Sequence, residues 1–135
     1  MSLARQLAER IVAMRYEDLP PEAIQWCKVA VLDTLGVALA GASEDASKLV
    51  VETLELRPGD GPSLIFGSNQ RTGALDAALV NGVAAHALDF DNTAKNLGGH
   101  VSAVVVPALI AAGERYGASG RDLILAHAAG YEVGA

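Results

Sequence analysis

Leu3, Leu7, Ile11 and Met14 recur at intervals of three and four residues, with Arg5, Glu9 and Arg10 between them. That spacing predicts an amphipathic first helix, and Ser2 is placed to cap it. The step Leu19-Pro20-Pro21 stops the chain and restarts it. From Glu22 to about Ala40 a longer helix is predicted, with Ile24, Cys27, Val31, Leu35 and Ala38 on one stripe and Gly41 as its stop. Ser43 is a candidate cap for a third helix reaching about Leu56, with Leu49, Val50, Leu54 and Leu56 as its apolar set. The run Arg57-Pro58-Gly59-Asp60-Gly61-Pro62 then breaks it. Leu64, Ile65 and Phe66 form an apolar run closed by Gly67-Ser68-Asn69, short enough for one arm of a small hairpin near residues 63–71.

The second half is more apolar. A fourth helix is predicted to start at Thr72 and to run through Leu75, Leu79, Val83 and Ala87, its small residues Ala74, Ala77, Ala78, Gly82, Ala84 and Ala85 allowing close packing. A fifth runs from about Val101 to Tyr116, with Pro107 expected to remove one backbone hydrogen bond and bend it, and is stopped by Gly117. Ser119 with Asp122 three residues on is a short capping box for a sixth, which continues through Leu123, Ile124, Ala126 and Tyr131. The fold class expected is therefore all-α, a bundle-like arrangement over residues 1–135 as a single domain. Because the last helix carries no terminating signal, it is expected to be the N-terminal portion of a larger all-helical domain.

Composition narrows the function classes. Hydrophobic residues make up 51% of the chain but aromatic ones only 4%, so the core must be built from Ala, Val, Leu and Ile. The net charge of −6, with basic residues scattered, argues against nucleic-acid binding. It does not exclude an anionic substrate, because a site is set by local donors. Cys27 is the single cysteine and lies in an apolar helical pattern, where a thiol is more often core filling than nucleophile. The N-terminus has no signal-peptide pattern, and the long uncharged stretch that contains Leu97 to Gly113 falls short of a bilayer span. A soluble, cytoplasmic protein that binds neither membrane nor nucleic acid is the expectation.

The candidate chemistry lies between residues 86 and 102. His86-Ala-Leu-Asp-Phe-Asp-Asn-Thr93 puts Asp89 and Asp91 at the C-terminal end of an apolar helix, where the backbone dipole disfavours a carboxylate by roughly 0.3–1 kcal/mol. Burial beside Leu88 and Phe90 would add to that cost. A carboxylate held at such a cost suits proton exchange, which makes Asp89 a catalytic candidate. Leu97-Gly98-Gly99-His100 leads into the fifth helix, whose first N–H groups lack helical partners. His100 is the second catalytic candidate, with Gly99, Ser102 and Thr93 as substrate-binding candidates. The plain alternatives are that Asp89-Phe-Asp91 is a turn feature and that His100 is a cap. A metal site from Asp89, Asp91 and His100 lacks a second histidine at i+4 spacing and is not expected. His127 reads as a polar position on the last helix, and His86 as packing one turn before the acidic pair.

The run Asn81-Gly-Val-Ala-Ala-His-Ala-Leu-Asp-Phe-Asp-Asn-Thr93, then His100-Val-Ser-Ala, then Gly117-Ala-Ser-Gly-Arg-Asp122, resembles the N-terminal region of the MmgE/PrpD family. Leu32-Asp-Thr-Leu-Gly36 with Gly41 matches as well, so the resemblance covers nearly the whole chain. It implies an all-helical domain completed by later sequence, a homodimer, and chemistry next to the carboxylate of a small polycarboxylate without metal or organic cofactor. The family includes 2-methylcitrate dehydratase, cis-aconitate decarboxylase and iminodisuccinate epimerase. The resemblance carries the family's active-site positions to Asp89, Thr93 and His100, with Asp89 serving in proton transfer or orienting the group that does, and with His100 and Thr93 holding a carboxylate or taking part in proton delivery. The chain departs from the family pattern at Asn92, where an aspartate is common, at Val101, where a proline follows the histidine, and in a longer loop from Thr93 to His100. A lysine, a histidine, a tyrosine and a lid domain downstream would complete the family's pocket.

Two functions are therefore in play. One is the N-terminal part of a cofactor-independent lyase or isomerase for polycarboxylates. The other is a non-catalytic helical dimerisation module, or a remnant of such an enzyme, and for either reading self-association is expected.

Overall fold

The computed structural model describes residues 2–56, 59, 61–94 and 98–134. Arg57, Pro58 and Asp60 of the expected breaker, and Leu97 of the approach to the fifth helix, lie outside the described residues. Six α-helices and one two-stranded hairpin follow in the order α1 (Leu3–Ala13), α2 (Pro21–Gly41), α3 (Asp45–Thr53), β1 (Ser63–Leu64), β2 (Arg71–Thr72), α4 (Ala74–His86), α5 (Val101–Tyr116) and α6 (Gly120–Gly134). The all-α expectation holds.

Local signals account for most of the ends. Ser2 Oγ accepts the Arg5 N–H at 3.4 Å, and the Arg5–Glu9 pair at 2.9 Å supports α1 on its outer side. A 3-10 turn at Tyr16–Asp18 leads to Pro20, and Pro21 occupies the first position of α2, where its missing N–H costs nothing. Gly117 ends α5 in the left-handed conformation at φ 67° and ψ 35°. At the start of α6, Ser119 N donates to Asp122 Oδ2 at 2.8 Å and Asp122 N to Ser119 Oγ at 3.2 Å, a reciprocal box.

Several boundaries differ from expectation. The helix expected from Ser43 begins at Asp45 after Glu44, and it ends at Thr53 because Glu55 turns left-handed at φ 49°. Ser47, not Ser43, makes the polar link there, donating from Oγ to Gly41 O at 2.8 Å. Thr72 belongs to β2 opposite Ser63, so α4 starts only after Gly73. Of the run Leu64–Phe66, only Leu64 is in a strand. Ile65 and Phe66 continue past it as buried core residues.

The stripe on α2 is also rotated. Its buried residues are Cys27, Ala30, Thr34, Ala38 and Gly41, while the expected Ile24, Val31 and Leu35 are only half-buried. Small side chains face the neighbouring helices because they let backbones approach, and the larger Trp26, Leu32 and Leu39 are left outside. Gly41 marks the closest approach. A Cβ on it would lie 2.1 Å from Ala84 O and 3.3 Å from Ala87 Cβ, and Ala42 after it stays right-handed. Gly41 is thus the last residue of α2 as expected, but it is a packing glycine and not a left-handed stop. With 21 residues and a mean hydropathy of 1.4, α2 has the length and apolarity of a membrane span, and one of its faces is used against α4, α5 and α6.

α4 and α5 form the central pair. Pro107 is buried within an unbroken α5. It can give no N–H to Ala103 O, and the α4 backbone comes close at that carbonyl, where a Cβ on Gly82 would sit at 3.3 Å. Ala38, Phe66, Ala84, Ala85 and Ala103 make the core cluster, with Leu35 and Ile110 packed on it. The hairpin is fastened to this pair by side chains. Asn81 Oδ1 accepts the Phe66 N–H and Asn81 Nδ2 donates to Leu64 O, both at 2.8 Å. Ser63 Oγ donates to Ala111 O at 2.8 Å. Asn81→Leu is expected to lower unfolding free energy by about 2–4 kcal/mol, since it orphans a buried N–H and a C=O together. A denaturation midpoint unchanged from the parent would contradict this.

Candidate functional site

α4 closes at His86, and Asp89, whose N–H donates to His86 O at 3.0 Å, takes a left-handed φ of 56°. Aspartate tolerates that conformation better than most residues. The reversal sends consecutive acidic side chains in opposite directions. Asp89 is exposed, its side chain 78% accessible, whereas the Asp91 side chain has no accessible surface. The burial expected of Asp89 beside Phe90 therefore does not occur, and Phe90 itself is 70% exposed. Asp91 is the desolvated carboxylate.

A buried carboxylate needs donors, and two imidazoles provide them. His86 Nδ1 lies 3.0 Å from Asp91 Oδ1 and 3.2 Å from Oδ2, and His100 Nδ1 lies 3.1 Å from Asp91 Oδ2 and from the Asp91 carbonyl oxygen. The two rings stand edge to face with centroids 4.7 Å apart. On its other side His100 presents Nε2 to Asp89 Oδ1 at 3.5 Å. His100 precedes α5 but makes no side-chain cap bond, so its imidazole serves this cluster and not the helix end.

The remaining candidates surround the cluster. Thr93 is exposed on the loop. Ala94 N donates to Gly99 O at 3.0 Å and Gly98 N to Ala94 O at 2.9 Å, closing the base of the loop with Gly98 at φ 62°. Among the described residues a Cβ on Gly98 or on Gly99 would meet nothing within 4 Å. Ser102 is different: it has no exposed surface, and its Oγ finds no partner among the described residues. It sits beneath the helix start and not on the loop.

Two clefts flank the loop. A groove of about 570 Å³ between α4 and α5 is lined by Leu79, Gly82, Val83 and Val104 and ends at His86 and His100. A second cleft of about 590 Å³ lies between α2 and α6, with Trp26, Asp33, Phe90, Asn92, His127 and Tyr131 among its walls. Cys27 is there too, its thiol pushed up by burial, as befits core filling. His127, expected to be a polar surface position, is 3% exposed and neither ring nitrogen has a partner among the described residues. It stacks on Tyr131 with centroids 6.0 Å apart, and burial lowers its pKa from 6.5. The unfolded chain then takes up this proton at higher pH than the folded one, so stability is fully present above about pH 6.5 and falls as pH drops through the window below it. His127→Phe is expected to flatten that fall, which denaturant midpoints between pH 7.5 and 5.5 would show; an identical fall in both proteins would contradict it.

His86, Asp89, Asp91 and His100 bring one ligand atom each within 4.8 Å of one another. No second histidine stands at i+4 spacing, yet the end of α4 brings His86 into the group. The detailed geometry favours hydrogen bonding instead. Both Nδ1 atoms face Asp91 oxygens at 3.0–3.2 Å, the spacing of N–H donors, while a divalent ion needs those lone pairs free at roughly 2.0–2.2 Å. The sequence places His86 one turn before the acidic pair but does not show that it meets Asp91. The signal that could have linked them was the five-residue step from the last turn of a helix across a left-handed aspartate.

The MmgE/PrpD N-terminal domain family matches residues 5–135. Human cis-aconitate decarboxylase is 32% identical over 137 positions, which cover 98% of this chain and 28% of the human protein. A cis-aconitate decarboxylase-like protein of Aspergillus oryzae is 26% identical over 140 positions, 98% of this chain and 29% of that protein. Cis-aconitate decarboxylase of Aspergillus terreus is 30% identical over 124 positions, 87% of this chain and 25% of that enzyme. The chain thus spans under a third of the length of these curated relatives.

Proposed function

Because the chain belongs to the MmgE/PrpD family, as an N-terminal domain of that lyase-like family, we propose that it is the N-terminal part of an enzyme that moves a proton at the carbon next to a carboxylate of a small polycarboxylate. The observation that carries this reading is His100, whose Nε2 lies 3.5 Å from an exposed aspartate at the start of a helix. Asp89 and His100 are the proton-handling pair. The free N–H groups at the start of α5, with Gly99 and Thr93 beside them, suit a substrate carboxylate, since a helix N-terminus favours an anion. The groove between α4 and α5 offers apolar walls to the rest of the acid. Loss of CO2, loss of water and epimerisation all pass through negative charge at such a carbon, which needs donors preorganised away from water. No organic cofactor is required for that chemistry.

That the relatives are named cis-aconitate decarboxylases favours a decarboxylase or a close variant of one. The test is to incubate the family-length protein with cis-aconitate, 2-methylcitrate and iminodisuccinate and follow products by NMR. Turnover of one of them is expected; inertness toward all three would overturn the reading.

A second reading, self-association through helical faces, is favoured by the exposed Trp26, Leu32, Leu39, Leu75 and Val104. Such surface suits a homodimer. Mass in solution tests it directly, and a monomer at micromolar concentration would oppose it.

A further inference from the structure

Asp91 has no accessible side-chain surface and touches two imidazoles, yet it faces neither groove nor solvent. The Asp91 backbone carbonyl oxygen only accepts hydrogen bonds, so the His100 Nδ1 that it meets at 3.1 Å is the protonated nitrogen of that ring, and an ionised carboxylate accepts from both Nδ1 atoms. We infer that Asp91 is a positioning residue that holds His100 in the Nδ1–H tautomer, leaving Nε2 as the atom that exchanges protons with substrate and with Asp89. This deepens the proposed function and rests on it for the identity of the reacting partner.

The argument is one of geometry. His100 is held from one side by Asp91 through Nδ1, at 3.1 Å to Oδ2 and 3.1 Å to the backbone oxygen, and its ring is braced by His86 at 4.7 Å. His86 in turn donates to the same carboxylate at 3.0 Å, so Asp91 receives an N–H at each oxygen. Among the described residues the titratable groups that face His100 are His86, Asp89 and Asp91. Nε2 points the other way, to Asp89 Oδ1 at 3.5 Å. In the forward step the Nε2 lone pair takes the proton from the substrate carbon, and the bonding electron pair stays on the substrate. The proton then returns to substrate or passes to Asp89, while the Nδ1–H bond to Asp91 is never broken. A buried aspartate that fixes a histidine tautomer is the arrangement used by serine hydrolases, and there its replacement by asparagine costs about 10⁴-fold in kcat through the wrong tautomer.

The inference is tested without any assay of activity. The protein is labelled with ¹⁵N-histidine, and long-range ¹H–¹⁵N correlations are recorded near pH 8, with its three histidines assigned through His86→Gln and His127→Phe. His100 is expected to carry its proton on Nδ1, and in Asp91→Asn, whose amide N–H can now face Nδ1, the proton is expected to move to Nε2. A wild-type His100 protonated on Nε2 alone would overturn the inference, as would a tautomer unchanged in Asp91→Asn with helix content retained. In the family-length enzyme, Asp91→Asn should lower kcat by about 10²-fold or more and move KM by less than about threefold, a split that a purely structural role would not give. If the tautomer result holds and no polycarboxylate is turned over, the substrate reading fails while the positioning role stands.

Discussion

Replacing His100 by alanine is expected to reduce turnover of the family-length enzyme by about 10²–10⁴-fold, the usual range for losing a placed acid–base group, with its fold retained. The structural cost should be small. His100 contributes no cap bond to α5, and its ring meets Asp91, Asp89 and His86 at the rim of a groove, away from the core cluster. The Asp91 carboxylate keeps His86 as a donor when His100 is gone. Asp89→Asn should act in the same direction, because it preserves shape and removes the carboxylate that can take up a proton opposite Nε2. Circular dichroism and kinetics on the same samples check both. Unchanged turnover in His100→Ala would remove His100 from the chemistry, and an unfolded variant would contradict its placement at the rim.

The largest expected effect on stability lies elsewhere, at Gly41. An alanine there would bring Cβ to 2.1 Å from Ala84 O, and the obstacle is helix backbone that no side-chain rotation can clear. α2 and α4 would have to move apart along a contact that also holds Ala38, Ala84 and Ala85. The cost is expected at or above the top of the overpacking range, about 3 kcal/mol. Gly36, five residues earlier on the same helix, meets nothing within 4 Å, so Gly36→Ala should instead stabilise by about 0.5–1 kcal/mol through helix propensity. Denaturant midpoints of the two variants should move in opposite directions. Equal shifts would show that helix propensity, and not contact between α2 and α4, sets the behaviour of this helix.

These two glycines also show how the chain could be read and where reading stopped. The helical periods, Ser2, Pro21, Gly117 and the Ser119–Asp122 box are local signals, and the elements they mark fall where the sequence puts them. Gly41 and Gly36 look alike in sequence, and only the approach of α4 distinguishes them. The shift of the buried stripe on α2 has the same origin, because hydrophobic size points to Ile24, Val31 and Leu35 while helix packing selects the small Ala30 and Thr34. At the candidate site, Asp89 and His100 were visible as a helix end and a helix start. What brings Asp91 inward and makes His86 its partner is the positive φ of Asp89, a single backbone choice with no distinctive residue pattern. His127 shares its face of α6 with Leu123, Ile124 and Tyr131, and those apolar neighbours one turn away are the signal for its burial.

The central claim, proton transfer at a carbon next to a carboxylate, is tested most directly by solvent exchange. The family-length protein is incubated in D2O with cis-aconitate, 2-methylcitrate or iminodisuccinate, and deuterium is followed by NMR at the carbon adjacent to the carboxylate in substrate and product. Enzyme-dependent deuterium at that position, reduced by about 10²-fold or more in His100→Ala, is the predicted result. Turnover with no deuterium at that carbon, or exchange that His100→Ala leaves untouched, would contradict the assignment of the proton to His100 and Asp89.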